Sequence, residues 1–181
     1  ANTVERIETK IINGTDVKTS GIDVQLRLNV TDYWTLDMNG TYTAEYKVAG
    51  DDLSEAFDAA GFLNNTNSNR PIPKYKATMI NSFDFENHNI SLSAYYVSDY
   101  KDERDSLFTT NTRGQVIDSQ VQLDLSYNYI FNDDLTKVNL TVSNLTDEEP
   151  PFARLDLNYD PFTHNPLGRT FKISVVHKFG E

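Results

Sequence analysis

The sequence contains no cysteine, so no disulfide framework and no thiolate metal site can hold it together. It has no run of about 18 apolar residues, which rules out a transmembrane helix. Positive charge is scarce: 16 Lys and Arg stand against 27 Asp and Glu, a net charge of −11. A nucleic-acid partner needs a basic patch, and none is visible. The histidines, His88, His164 and His177, fall on a turn, a loop and a terminal strand, and no two have metal-ligand spacing. No metal and no cofactor are expected. No nucleophile–base motif, zinc-protease motif or phosphate loop occurs, so an enzyme is not expected. No signal peptide opens the chain; an exported protein would be represented by a mature or partial chain.

What the sequence does have is alternation over a length that allows one domain, 181 residues. Val4 to Ile12 reads as a weak strand, followed by a turn at Asn13-Gly14. From Gly21, Ile22, Val24, Leu26, Leu28 and Val30 face one way and the polar residues between them the other. After a tight turn at Thr31-Asp32, the even positions from Trp34 to Tyr46 oppose Thr35 to Lys47. Residues 49–73 break the period, and Asp51 to Phe62 has the composition of a short helical turn. Alternation resumes from Lys74 to Phe85, with Asn81 interrupting the apolar row, and from Ile90 to Tyr96. Further strands are expected at Val116 to Phe131, Leu135 to Leu145 and Arg169 to Phe179.

The pattern gives eight strands. Their connections are short at Thr31, Asn87 and Asp133 and long at 49–73, 101–113 and 146–168. Outer-membrane barrels have short periplasmic turns and longer outer loops. The aromatics sort in the same way. Tyr33, Trp34, Phe83, Phe85, Tyr129 and Phe131 sit beside short turns, and Tyr46, Tyr75, Tyr96 and Tyr100 at the other strand ends. Two aromatic girdles around a Leu, Val, Ile, Ala and Met band suit a lipid-facing wall. The opposite face, rich in Thr, Ser, Asn, Gln and Asp, suits a hydrated lumen. A mean hydropathy of −0.53 does not oppose this, because only every second strand residue meets lipid. Alternation alone also fits a soluble barrel with its apolar face inward.

The last strand carries a more specific signal. Phe171, Ile173, Val175, His177 and Phe179 share one face and lead to an aromatic near the terminus. Before them stand Asn144-Leu145-Thr146-Asp147, Pro150-Pro151, Tyr159-Asp160 and the segment from Asn165 to Arg169. This stretch resembles the C-terminus of TonB-dependent outer-membrane receptors. His177 departs from the Tyr or Phe more usual there, and Gly180-Glu181 extends past the aromatic. The resemblance implies an all-β, antiparallel transmembrane β-barrel. In it, residues 1–181 form the C-terminal part of a barrel of roughly 22 strands with a plugged lumen.

The resemblance further implies an outer-membrane receptor for uptake of a scarce nutrient: a siderophore, vitamin or oligosaccharide. Implied partners are outer-membrane lipid and lipopolysaccharide, the barrel assembly machinery acting on the terminal strand, and TonB through a plug absent from this chain. An autonomous eight-stranded structural or adhesive barrel and a soluble ligand-binding β-barrel are the alternatives. In the third long loop, Arg154, Tyr159, Asp160, Phe162 and His164 combine aromatic faces with polar groups. They are candidates either for ligand contact or for bracing the loop, and the bracing role is preferred because the motif is a family-wide feature. The acidic group Asp51, Asp52, Glu55 and Asp58 lacks an EF-hand pattern and reads as a solvated loop or a lipopolysaccharide-layer cation site rather than a dedicated Ca²⁺ site.

Overall fold

The computed structural model describes residues 16–50, 56–63, 70–103, 115–131 and 135–179. In chain order the strands are β1 (Val17–Thr31), β2 (Trp34–Val48), β3 (Phe57–Asp58), β4 (Phe62–Leu63), β5 (Tyr75–Phe85) and β6 (His88–Val97). They continue with β7 (Tyr100–Asp102), β8 (Gln115–Ile117), β9 (Gln120–Ile130), β10 (Thr136–Ser143) and β11 (Thr170–His177). One antiparallel sheet runs β1-β2-β5-β6-β9-β10-β11, with the short β3 paired to the far end of β2. A small second sheet, β4-β7-β8, stands at the long-loop end.

Pairing register turns the period-two pattern into two surfaces. Directly opposed residues in an antiparallel pair share a face. Leu26 lies opposite Met38, Met38 opposite Met79, Met79 opposite Ala94 and Ala94 opposite Leu123. A second row runs Leu92, Leu125, Val142, Phe171. The apolar face is therefore continuous from β1 to β11. It is also largely uncovered: Met38 is 40% exposed and Ile173 72%, with Val142 the buried exception. Burying a side chain of this size is worth about 1.5–3 kcal/mol, so a soluble sandwich would cover this face with a second layer. Among the described residues no such layer exists, and β1 and β11 each pair on one edge only.

Asn81, the polar interruption of the apolar row, has a local partner. Its Oδ1 accepts the indole N–H of Trp34 at 3.2 Å from the neighbouring strand. Two polar groups on the greasy face thus satisfy each other. The opposite face is knitted by polar contacts: Thr41 Oγ1 donates to Asp23 at 2.7 Å, and Arg27 Nε lies 3.3 Å from Asp37. An amide row crosses four strands. Asn89 Nδ2 donates to Asp84, Asn128 Nδ2 to Asn89, and Asn139 Nδ2 to Asn128, at 2.7, 2.9 and 2.7 Å.

The described strands match seven of the eight expected; Val4 to Ile12 lies outside the described residues. The turn at 132–134 lies outside them as well, as do Asp51, Asp52 and Glu55. Two expectations are corrected. Asp51 to Phe62 does not form a helical turn where described, because Phe57–Asp58 extends to pair with β2 and Phe62–Leu63 with β7. Asp58 accepts the N–H groups of Tyr46 and Ala60 at 2.9 and 3.1 Å. Its carboxylate therefore terminates backbone; burial raises its pKa, but these two bonds together with the charges of Lys47 and Lys74 outweigh that and hold it below the usual value. Val116 to Phe131 is likewise two strands, broken at Asp118-Ser119, because β8 leaves the main sheet to pair with β7.

Pairing between β1 and β2 slips by one residue at Ser20/Gly21. A Cβ on Gly21 would stand 2.4 Å from the carbonyl oxygen of Tyr42. That neighbour is backbone and cannot swing aside. Gly21→Ala is expected to cost about 1–3 kcal/mol through displaced backbone at the bulge. A lowered denaturation midpoint in lipid vesicles would show it; an unchanged midpoint would mean that the bulge accommodates a methyl group.

Candidate functional site

At the long-loop end the chain leaves the single layer and forms the one buried apolar cluster of the described residues. Leu63, Tyr100, Ile117 and Ala153 make its centre, with Leu155 packed against them. Tyr100, expected among the girdle aromatics, is 1% exposed and turned into this cluster. The correction has a plain cause. The chain turns away from the main sheet after Val97, so β7 pairs with β4 and β8 and its side chains meet loop residues, not lipid.

A polar network is embedded in the cluster. The Tyr100 hydroxyl donates to Asp160 Oδ2 at 2.7 Å and lies 3.1 Å from His164 Nε2. Asp160 is fully buried and also accepts the Phe162 N–H at 2.9 Å through Oδ1. Gln120 donates its amide to the Glu149 carbonyl, which leaves Oε1 to accept from His164 Nδ1 at 2.8 Å. Arg154 reaches Asp102, 1% exposed in its side chain, at 3.1 Å. Burial pushes the Tyr100 phenol well above its ordinary pKa, and the Asp160 charge adds to this, so it remains a donor. Burial lowers the His164 pKa, against the pull of Asp160.

Of the five loop candidates, Arg154, Asp160 and His164 thus join β7 and β9 to the third loop. Tyr159 bridges Phe152 within the loop. Phe162 is 56% exposed and carries the Arg70 guanidinium 5.2 Å over its ring, an exposed cation–π contact. Two clefts open nearby. One of about 250 Å³ lies between Phe62, Lys74 and Tyr100, and one of about 380 Å³ lies between Thr41, Tyr46, Ile72 and Lys76. The first is below the range for ligand pockets and the second at its small end.

The pH dependence of this network has a defined sign. A native His pKa below the unfolded value leaves docking fully stabilised above about pH 6.5. Docking then weakens as pH falls through that value, because the released imidazole takes up a proton, and levels off below the native pKa. Amide exchange at Asp160 and residues 162–164, corrected for intrinsic rates, should quicken between pH 7.5 and 5.5 (test values about one unit either side of the ordinary His pKa). Flat protection across that span would remove His164 from the docking network.

At the short-turn end the expected girdle residues meet in pairs. Tyr33 stacks on Phe85 with centroids 5.2 Å apart, Trp34 on Phe83 at 5.8 Å, and Tyr129 meets Phe131 edge-on at 4.8 Å. His88 belongs there too, which the sequence reading missed: it hydrogen-bonds Tyr127 at 2.7 Å and lies 4.9 Å from the Tyr129 ring. On the last strand, Phe171, Ile173, Val175 and His177 face Val142, Leu140, Val138 and Thr136 in turn. The His177 ring accepts or donates at Thr136 Oγ1, 2.8 Å away, and meets Phe179 edge-on.

Comparison with known proteins agrees with this geometry. Residues 2–145 match the family described as TonB dependent receptor-like, beta-barrel. No curated protein matches. Among solved structures, a mutant of the ferric enterobactin receptor from Pseudomonas aeruginosa is 15% identical with a TM-score of 0.61, over 90% of this chain and 22% of that one. The siderophore receptor PiuA from Acinetobacter baumannii is 19% identical with a TM-score of 0.54, over 88% and 21%. The ferric-catecholate import receptor Fiu from E. coli is 15% identical with a TM-score of 0.59, over 88% and 21%. At such identities the likeness is one of fold, and this chain spans about a fifth of the length of these receptors. The matched family comprises receptors of the outer membrane, not enzymes. An open antiparallel sheet with one bare apolar face, together with a family match over most of its length, makes this chain a member of the TonB-dependent receptor β-barrel family.

Proposed function

We propose that residues 1–181 are the C-terminal wall of a TonB-dependent receptor that imports a ferric siderophore across a bacterial outer membrane. The carrying observation is the open sheet: among the described residues its apolar face is largely bare, its polar face is hydrogen-bonded from strand to strand, and both outer edges are unpaired. Such a wall needs lipid on one side and further strands on its edges. The similar receptors, each about four times as long, offer those strands. The alternative of an autonomous closed barrel is disfavoured by the linear strand order among the described residues.

In this reading outer-membrane lipid and lipopolysaccharide surround the wall, and the assembly machinery engages the face of Phe171, Ile173, Val175, His177 and Phe179. TonB acts through a plug supplied by other sequence. The ligand class follows the fold neighbours, whose names refer to ferric enterobactin, ferric catecholate and siderophores. The loop residues Arg154, Asp160 and His164 brace the outer end, and Phe162 with Arg70 is the part left open to a ligand. Deleting the gene that encodes the chain is expected to abolish growth on a ferric catecholate as sole iron source, with restoration by a plasmid copy. Undiminished uptake of every siderophore tested, alongside normal outer-membrane expression, would refute the ligand class.

A further inference from the structure

The connection between β10 and β11 runs from residue 144 to residue 169, too long to set a register by itself. Loop-closure entropy changes only slowly with length, so a slipped pairing costs such a loop almost nothing. A slip of one residue would put Lys172 and Ser174 on the lipid side; a slip of two would keep the faces and misplace the terminal aromatics. Yet the two ends of this loop are bonded to each other immediately beyond the pair Ser143 and Thr170.

Asn144 is 2% exposed and adopts a left-handed backbone, φ 53°. Its Oδ1 accepts the Glu148 N–H at 2.8 Å, and its Nδ2 donates to the carbonyls of Glu148 at 2.9 Å and Leu167 at 3.3 Å. Its own N–H donates to Asp124 of β9 at 2.9 Å. Asp147, also left-handed at φ 59°, accepts the Arg169 N–H at 2.7 Å. Gly168 leaves room for this contact, because a Cβ there would stand 2.8 Å from Asp147 Oδ1. Left-handed backbone suits Asn and Asp better than other non-glycine residues, so the turn chemistry and the side-chain bonds agree.

We propose that Asn144 and Asp147 form a register clasp that fixes the final strand against β10 before the barrel is closed. The clasp gives a long-loop hairpin the precision of a two-residue turn, and through Asp124 it ties three neighbouring strands. It makes Asn144 and Asp147 positioning residues for the terminal strand. The inference rests on the reading of this chain as a barrel wall.

Register can be read by introduced cysteine pairs, since the chain has none of its own. The test uses the whole polypeptide encoded by the gene, in outer-membrane fractions, with the disulfide assigned by mass spectrometry. Leu140→Cys with Ile173→Cys reports the observed pairing; Leu140→Cys with Phe171→Cys or Val175→Cys reports slips of two residues. With the clasp intact the first pair should dominate; if it does not form, the strand pairing and the wall reading both fail. Adding Asn144→Ala and Asp147→Ala should lower the first crosslink about fivefold or more and raise a slipped one, a shift of the kind expected when polar register contacts are lost. Asp147→Asn, which keeps an acceptor for Arg169, should restore it. Gly168→Ala, which removes no polar group, supplies the same readout if the alanine variants are not recovered in membranes. An undiminished native crosslink in the clasp variants overturns the proposal.

Discussion

Leu125→Arg is expected to destabilise the lipid-embedded chain by about 2–4 kcal/mol, whereas Ser126→Arg, one position along, should cost about 1 kcal/mol or less. Leu125 is the central residue of β9, Gln120–Ile130, and lies in the apolar row between Leu92 and Val142. An arginine there would place its guanidinium in hydrocarbon, where it can be solvated only by snorkelling or by thinning the bilayer. Ser126 lies on the other face, between Ser91 and Thr141 and beside Asn139, which donates to its Oγ at 3.1 Å. A cation there meets hydroxyls, amides and water. Denaturant titration in phospholipid vesicles would measure both variants, with Trp34, the single tryptophan, as a reporter within the short-turn aromatic belt. Equal costs on the two faces would defeat the assignment of one face to lipid, and with it the membrane reading.

Asp160→Ala should release the third loop from β7. The carboxylate is fully buried and is the acceptor for two donors, the Tyr100 hydroxyl and the Phe162 N–H. Removing it leaves both donors in a dry site, and an unmet buried donor costs about 1–3 kcal/mol. The phenol can turn its hydrogen towards His164 Nε2, already 3.1 Å away, which recovers part of that cost. The net expectation is about 2–3 kcal/mol, or roughly 30- to 150-fold in the local opening equilibrium. Amide exchange over residues 152–164 and Tyr100–Asp102 is the measurement. Protection should fall there and stay unchanged in β5 and β6. Asp160→Asn keeps a carbonyl acceptor and should recover most of the protection. Uniform loss across the sheet would show that the loop cluster carries global stability instead of local docking.

These two results probe features of different legibility. The apolar face was readable because strand side chains alternate strictly and the apolar positions of each segment are local information. Leu123, Leu125 and Tyr127 declare a face without reference to any other strand. The clustering of aromatics at the short-turn end was readable for the same reason, since each sits beside its own turn. Tyr100 was misread because the same local rule was applied where the chain had already left the sheet. Its partners, Asp160 and His164, are some sixty residues away, and no period connects them.

The motif residues show the division most clearly. Asn144, Asp147 and Arg169 stood out in the sequence only through their resemblance to a family; their spacing carries no physical rule. The structure supplies one, by placing the two ends of a long loop within hydrogen-bond distance.

The sequence by itself determined which residues face apart, where the strands turn and that one face is apolar, because the two-residue period of an extended chain is a short-range property. Only the tertiary structure decided which strand ends meet, which loop groups are buried together and that both sheet edges stay open among the described residues. Those depend on contacts between residues distant along the chain, and on an energy of burial that no single segment carries.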